Sequence, residues 1–253
     1  MKKLKGIIFD VDGTLTDNEK NGHRVAFNLA FESVGLDWFW DTEKYGQLLK
    51  VPGGKERLKY YIENEKSKSI KKQGLSNLVD NLHSKKTQFY SQIIHKGKIS
   101  LRTGVKRLLS EIHEAGIPMA LATTSTHKSV RSLLKHSLLP GSENWFKIIA
   151  SAETKVAKKP APDIYELVLN KLSFSAENCI AIEDSSLGLQ SSFSAGLKTI
   201  ITVNEYTAHE DFSKAVLVLD HMGEKEKPCH IIQGKDVNKS YLDLKWLQLL
   251  LQE

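Results

Sequence analysis

The stretch Leu4-Lys5-Gly6-Ile7-Ile8-Phe9-Asp10-Val11-Asp12-Gly13-Thr14-Leu15-Thr16 governs how the rest of the chain is read. A short apolar run, Leu4–Phe9, stops at two aspartates one residue apart and then a glycine. Apolar runs this short without polar alternation read as strands buried on both faces, as inside a parallel sheet. In open α/β sheets ligands bind outside the carboxyl ends of the strands, so the acidic pair stands where chemistry is expected. Two carboxylates there, followed by a glycine that permits a tight turn, suit a hard divalent cation of the magnesium type. Asp and Gly also populate ordinary turns, so the stretch takes its meaning from the segments downstream.

Those segments repeat the pattern. Helical spacing over Gly104–Ala115 puts Val105, Leu108, Leu109 and Ile112 on one face, and Gly116 supplies a stop. Strands are expected at Ile117–Ala122, Trp145–Ala150, Cys179–Ile182, Thr199–Val203 and Ala215–Leu219. Helices are expected around Lys128–His136, Asp163–Leu172, Ser186–Ala195 and, at the end, Leu242–Leu251. Strands alternating with amphipathic helices predict an α/β fold with a parallel sheet. Residues 18–98 break the alternation with helical periods alone, among them Ala26, Phe27, Ala30, Phe31 and Val34, then Leu75, Leu78, Val79 and Leu82. They are read as a helical cap inserted into a core made of residues 1–17 and 99–253. The polar tail Met222–Lys239 gives no clear pattern.

Composition excludes several classes. The 253 residues carry a net charge of +6, with 40% hydrophobic and 26% charged residues. The longest apolar stretches fall far short of the roughly 20 residues that a membrane helix needs. The first strand begins so near Met1 that no signal peptide is expected. Two cysteines, Cys179 and Cys229, cannot form a disulfide framework, and a reducing cytoplasm is the expected compartment. The positive charge is diffuse, and its densest run, Lys66–Lys72, lacks interleaved aromatics and reads as a solvated loop rather than a nucleic-acid site.

Three more polar clusters close three more strands. Ala122-Thr123-Thr124-Ser125 places hydroxyls and backbone N–H groups just before a helix, which makes a seat for an anion or an ordinary N-cap. Lys158-Lys159-Pro160-Ala161-Pro162-Asp163 holds a lysine beside a helix start, although prolines open helices and lysines decorate loops in any protein. Glu183-Asp184 ends a buried strand, where an acidic pair needs a cation or a lysine beside it. Asp10, Asp12 and Asp184 together with a phosphate would crowd several negative charges into one crevice. Like charges at 4 Å repel by about 4 kcal/mol at an effective dielectric near 20. One divalent ion and Lys159 would balance them, which is the electrostatic requirement of phosphoryl transfer.

In order and spacing, Asp10-Val11-Asp12-Gly13-Thr14, Thr123, Lys159 and Glu183-Asp184 resemble the four motifs of the haloacid dehalogenase superfamily of phosphatases. The helical insert resembles that superfamily's C1 cap. Gly35-Leu36-Asp37-Trp38-Phe39-Trp40-Asp41 and Gly53-Gly54-Lys55-Glu56-Arg57 are similar to the CbbY group within it. The resemblance implies a Rossmann-like core and a phosphatase for a small sugar (bis)phosphate, xylulose 1,5-bisphosphate foremost. Related mutases of the β-phosphoglucomutase type and phosphoglycolate-type phosphatases are the alternatives. It further implies Asp10 as nucleophile, Asp12 as acid and base, Thr123 and Thr124 on phosphate oxygens, and Lys159 as countercharge. Mg2+ would be held by Asp10, the carbonyl of Asp12 and Asp184, with Glu183 behind them.

Substrate contacts in the cap are expected from Lys55 and Arg57 on a distal phosphate, with the Gly53-Gly54 backbone beside it. His23, Arg24 and Tyr45 are further candidates, and Trp38, Phe39 and Trp40 are read as cap packing. Asp17 stands where members of the group carry Glu, and Thr103 replaces their Pro. The expected partner is a phosphorylated sugar, with no nucleic acid and no membrane, and the chain is read as a monomer.

Overall fold

The apolar run after Lys5 forms β1, Gly6–Phe9, with every residue buried. In the computed structural model, which describes residues 2–51, 53–66, 74–138, 141–236 and 238–252, this strand is the third in a seven-stranded sheet, with neighbours on both sides. The other strands are β2 (Met119–Ala122), β3 (Phe146–Ala150), β4 (Cys179–Glu183), β5 (Lys198–Thr202), β6 (Leu217–Leu219) and β7 (Ile231–Gln233). Their order is β3-β2-β1-β4-β5-β6-β7, and all neighbours are parallel except the antiparallel pair β6 and β7. The chain therefore builds outward from β1 on one side, then crosses back to start again on the other. Carboxyl ends on either side of such a reversal leave a crevice. The register sets what meets there. Phe9 lies opposite both Leu121 and Ile182, so Asp10, Thr123 and Glu183 leave the sheet at nearly one level.

The chain divides into two compact units, Met1–Asp17 with Ser100–Glu253, and Asn18–Ile99. In the first, α5 (Val105–Glu114), α6 (His127–Ser137), α7 (Asp163–Leu172), α8 (Ser186–Ser194) and α9 (Leu244–Gln252) connect or flank the strands. Val105, Leu108, Leu109 and Ile112 are all buried on one face of α5, as their spacing requires. Each such side chain stabilises the fold by roughly 1.5–3 kcal/mol through burial. Cys179 packs as a small core residue.

In the second unit, α1 (Arg24–Glu32), α2 (Thr42–Leu49), α3 (Gly54–Glu65) and α4 (Leu75–His95) pack round an aromatic centre. Trp40 is fully buried, with ring centroids of Phe27, Phe31 and Tyr61 at 4.8, 4.9 and 5.2 Å. Its backbone is held from both sides by Asn28, whose side chain donates to Trp40 O at 2.9 Å and accepts from Trp40 N at 2.8 Å. The Asp41 side chain caps α2 by accepting from Lys44 N. Phe39 departs from the expected packing and is 67% exposed, because alternate residues of the extended segment 38–40 face opposite ways.

Other boundaries also shift. The second strand starts at Met119 rather than Ile117, because Ile117 N donates to Ile112 O and closes α5. Pro118 has no N–H to offer a neighbour, and its carbonyl accepts from Ile7 N. The tail contains β7, which two apolar residues in a polar segment did not signal. Lys66 closes α3, while residues 67–72 of the basic run lie outside the described residues.

Candidate active site

Asp10 follows the last residue of β1, and its N–H donates to Ile182 O at 3.0 Å, so the backbone ladder carries one step past the strand. Glu183 is the last residue of the adjacent β4, and Asp184 follows it. Lys159 reaches both strands at once. Its Nζ donates to Asp10 Oδ1 and to Glu183 Oε1, each at 2.6 Å, and its side chain is only 9% exposed. Tyr165, in the first turns of α7, donates its hydroxyl to the same Glu183 oxygen at 2.5 Å. Glu183 Oε1 thus serves as the anchor on which the lysine is mounted. Asp184 is held separately, with Asn204 Nδ2 donating to Oδ2 at 2.7 Å and Thr14 Oγ1 facing Oδ1 at 3.5 Å.

Asp12 points elsewhere. Its Oδ2 accepts from Ser125 Oγ at 2.7 Å and more distantly from Thr123 Oγ1 at 3.4 Å. Thr123 itself accepts from Ser125 N at 3.0 Å, so the loop after β2 is folded over its own hydroxyl. Thr123 is buried and Thr124 exposed. The structure therefore brings Asp10, Lys159, Glu183 and Asp184 into one group. Beside it stands a second, formed by Asp12, Thr123 and Ser125.

Burial drives the Asp10 carboxyl up to about 8 despite the Lys159 ammonium, and Glu183 and Asp12 push in the same direction. Asp184 rises as well, from burial first and then from Asp10 and Glu183. Lys159 is held firmly protonated, because Asp10 and Glu183 outweigh the effect of its burial. Ionised together, these three carboxylates would carry more negative charge than the single Lys159 ammonium balances. One carboxylate oxygen from each of Asp10, Glu183 and Asp184 lies within 4.8 Å of the others. An all-oxygen donor set short of positive charge fits a hard divalent cation. Asp10 and Asp184 could hold such an ion, with Glu183 behind them because its Oε1 already has two donors.

Two glycines keep this geometry open. Gly13, at φ +94°, has its α-carbon against the Asp184 carboxylate, and a Cβ there would overlap it. Gly188 in α8 lies against Glu183 in the same way.

In the second unit, Tyr45 and Arg57 form a buried pair. Arg57 Nη1 donates to the Tyr45 hydroxyl at 3.1 Å and Nε to Leu48 O, while Tyr45 donates to Glu19 Oε2 at 2.5 Å. His23 stacks on Tyr90 and lies 2.8 Å from Lys86 Nζ. Burial, then Lys86, Arg57 and His83, hold its imidazole well below the usual range, so Lys86 donates to a neutral ring. Gly54 opens α3 with its α-carbon near His83. Lys55 is more than half exposed and pairs with Asp80 at 2.5 Å, while Arg24 donates to Lys20 O and Trp40 O. In the first unit, Asp17 pairs with Arg102 at 3.3 Å.

Sequence reasoning passed over Tyr165, Asn204, Arg102 and Lys86, and named Ser125 only within the hydroxyl cluster after the second strand. Asn204 carried a signal, since it lies two residues past a strand's carboxyl end. Tyr165, Arg102 and Lys86 carried none, being polar groups whose partners lie on distant segments.

Residues 7–202 match the family profile described as haloacid dehalogenase-like hydrolase. The protein CbbY of Cupriavidus necator is 42% identical over 228 residues, covering 89% of this chain and 88% of that protein. Among solved structures, CbbY from Rhodobacter sphaeroides in complex with phosphate superposes with a TM-score of 0.75. It is 38% identical and covers 86% of this chain and 94% of that one. A mutant of the same protein in complex with xylulose 1,5-bisphosphate gives the same TM-score of 0.75 at 37% identity, again covering 86% and 94%. The chain belongs to the haloacid dehalogenase-like hydrolases and, within them, to the CbbY phosphatases.

Proposed function

We propose that this chain is a Mg2+-dependent phosphatase of a small sugar bisphosphate, with xylulose 1,5-bisphosphate the foremost substrate. The observation that carries this reading is the Lys159 ammonium placed 2.6 Å from both Asp10 and Glu183 beside Asp184. In it, Asp10 Oδ attacks phosphorus, the bond to the sugar oxygen breaks, and an aspartyl-phosphate forms. Asp12 gives a proton to the departing oxygen, then takes one from the water that hydrolyses the intermediate. Thr123 and the N–H groups around Thr124 hold the phosphoryl oxygens, and Lys159 offsets their charge. Mg2+ held by Asp10, the Asp12 carbonyl and Asp184 would supply charge stabilisation on the transferring group.

The Gly54–Arg57 segment, with Tyr45 and His23, is assigned to the second phosphate. Arg57 suits this role because a planar guanidinium matches phosphate oxygens two at a time. Asp17 is a candidate for the sugar hydroxyls. The ligand named for the CbbY relative, xylulose 1,5-bisphosphate, supports this choice of substrate.

The test is phosphate release from pentulose and hexose bisphosphates and the matching monophosphates, with Mg2+ and with chelator. Turnover that favours a pentulose bisphosphate and disappears with chelator is the expected result. Equal, feeble rates on every compound would overturn the substrate reading. Isomerisation of β-glucose 1-phosphate primed by its 1,6-bisphosphate would replace it with a mutase. Asp10→Asn is expected to lower turnover by roughly 10⁶-fold with the fold intact, as loss of a nucleophile does; retained turnover would dismiss Asp10 from that role.

A further inference from the structure

Arg102 is the most heavily engaged side chain near the strand ends, and none of the motif residues predicts it. A guanidinium has five N–H groups, one on Nε and two on each Nη. Here all three nitrogens are engaged. Nη1 donates to Gly13 O at 2.5 Å and to Thr202 O and Oγ1 at 2.8 and 3.1 Å. Nη2 donates to Val203 O at 2.5 Å and Asp220 O at 2.9 Å, and Nε faces Asp17 Oδ1 at 3.3 Å. The side chain is 7% exposed, whereas Asp17 is 48% exposed. One cation therefore ties together the loop after β1, the end of β5 and the end of β6.

The position of these acceptors gives the contact a purpose beyond holding the fold. Gly13, whose carbonyl Arg102 grips, packs its α-carbon directly on the Asp184 carboxylate. Asn204, which donates to the other side of that carboxylate at 2.7 Å, immediately follows the Thr202–Val203 pair that Arg102 also grips. Both walls of the Asp184 pocket are thus set by the same guanidinium, although Arg102 itself donates to neither Asp10 nor Asp184. Lysine could not do this, because a single ammonium has three donors at one point and the acceptors are spread over three segments.

We propose that Arg102 is a positioning residue for the metal-binding carboxylate Asp184, acting through Gly13 and Asn204. This inference rests on the reading of Asp10 and Asp184 as ligands of a divalent cation. On the same geometry, Asp17 serves as the ion-pair partner of Arg102.

The experiment compares wild type and Arg102→Lys. Divalent-ion binding is read without turnover by titrating metal-free protein with Mn2+ and following the free-ion signal in electron paramagnetic resonance. Melting temperature, kcat and substrate KM are measured alongside. Arg102→Lys is expected to weaken Mn2+ binding about fivefold and lower kcat about tenfold, with KM changed less than about twofold. The inference is overturned if Arg102→Lys melts lower but keeps wild-type Mn2+ affinity and kcat, which is a purely structural role. It is equally overturned if KM alone rises in Arg102→Lys, which is substrate contact.

Should Arg102→Lys not fold, Thr202→Val carries the test by removing one acceptor at constant volume. A Mn2+ dissociation constant about twofold weaker supports the inference, and an unchanged one overturns it. A wild type that binds no Mn2+ refutes the metal reading itself. A wild type that binds Mn2+ but releases no phosphate from any sugar refutes the proposed substrate, while the Mn2+ comparison still decides the role of Arg102.

Discussion

A carboxylate that is held at two points cannot step aside, and Glu183 is such a group. Lys159 and Tyr165 both donate to its Oε1, and its other oxygen lies against the α-carbon of Gly188. A methyl group on residue 188 would require Glu183 to give way, and that movement breaks one or both hydrogen bonds. Charged hydrogen bonds of this kind contribute roughly 1.5–3 kcal/mol each. Gly188→Ala is therefore expected to lower stability by about 2–4 kcal/mol and to reduce kcat through a displaced Lys159. Chemical denaturation together with steady-state kinetics checks this; a variant with wild-type kcat would mean that Glu183 has room to move. The same logic separates Glu183 from Asp184 although the two are adjacent. One is saturated by internal donors and keeps the lysine in place, whereas the other keeps its carboxylate turned toward Asp10.

At the scale of elements, the amino-terminal turn of α3 carries the clearest wager on the substrate. Arg57 is 7% exposed, and its guanidinium meets the Tyr45 hydroxyl and Leu48 O, so it is pre-organised by α2. Arg57→Ala is expected to raise KM for a bisphosphate about tenfold or more and to leave that for a monophosphate nearly unchanged; equal rises for both would place Arg57 in structure rather than in recognition. Strand and helix periods were legible because burial demands them. Leu4–Phe9, Met119–Ala122 and Cys179–Ile182 are short apolar runs, and each leads directly into a residue that belongs to the site. The β7 strand was not legible, because an edge strand buries one face at most and Ile231–Gln233 lies largely exposed. Asp220 ties it in by accepting from His230 N at 2.8 Å, a contact that no periodicity encodes. Arg102 and Tyr165 escaped for a related reason. Their partners are carbonyls and a carboxylate far along the chain, and such pairings leave no local pattern.

For the whole molecule, protons act on the two units with opposite signs. His23 in Asn18–Ile99 is held well below its usual range. A lowered imidazole contributes stability that is complete above about pH 6.5 and lost as pH falls toward its folded-state value. Asp10 in the other unit is raised to about 8, so without a cation its burial costs most above that pH and the cost fades on acidification. A divalent ion competes with that proton. The rise in melting temperature caused by Mg2+ is therefore expected to be larger at pH 8.5 than at about pH 6. Calorimetry at the two values settles it, and an equal or reversed effect would show that the ion binds away from Asp10.

The two places where Asn18–Ile99 joins the rest of the chain also carry a consequence. Thr16 and Leu101 form a bridge, and Arg102 N donates to Leu15 O at 2.9 Å, so the outgoing and returning strands of the connection run side by side. Because the ends already touch, splicing them directly would close a very short loop instead of stretching the sheet, and loop closure grows costly only slowly with length. A domain whose attachment points are neighbours is exchangeable: evolution can replace the helical insert and keep the chemistry, and a protein engineer can do likewise.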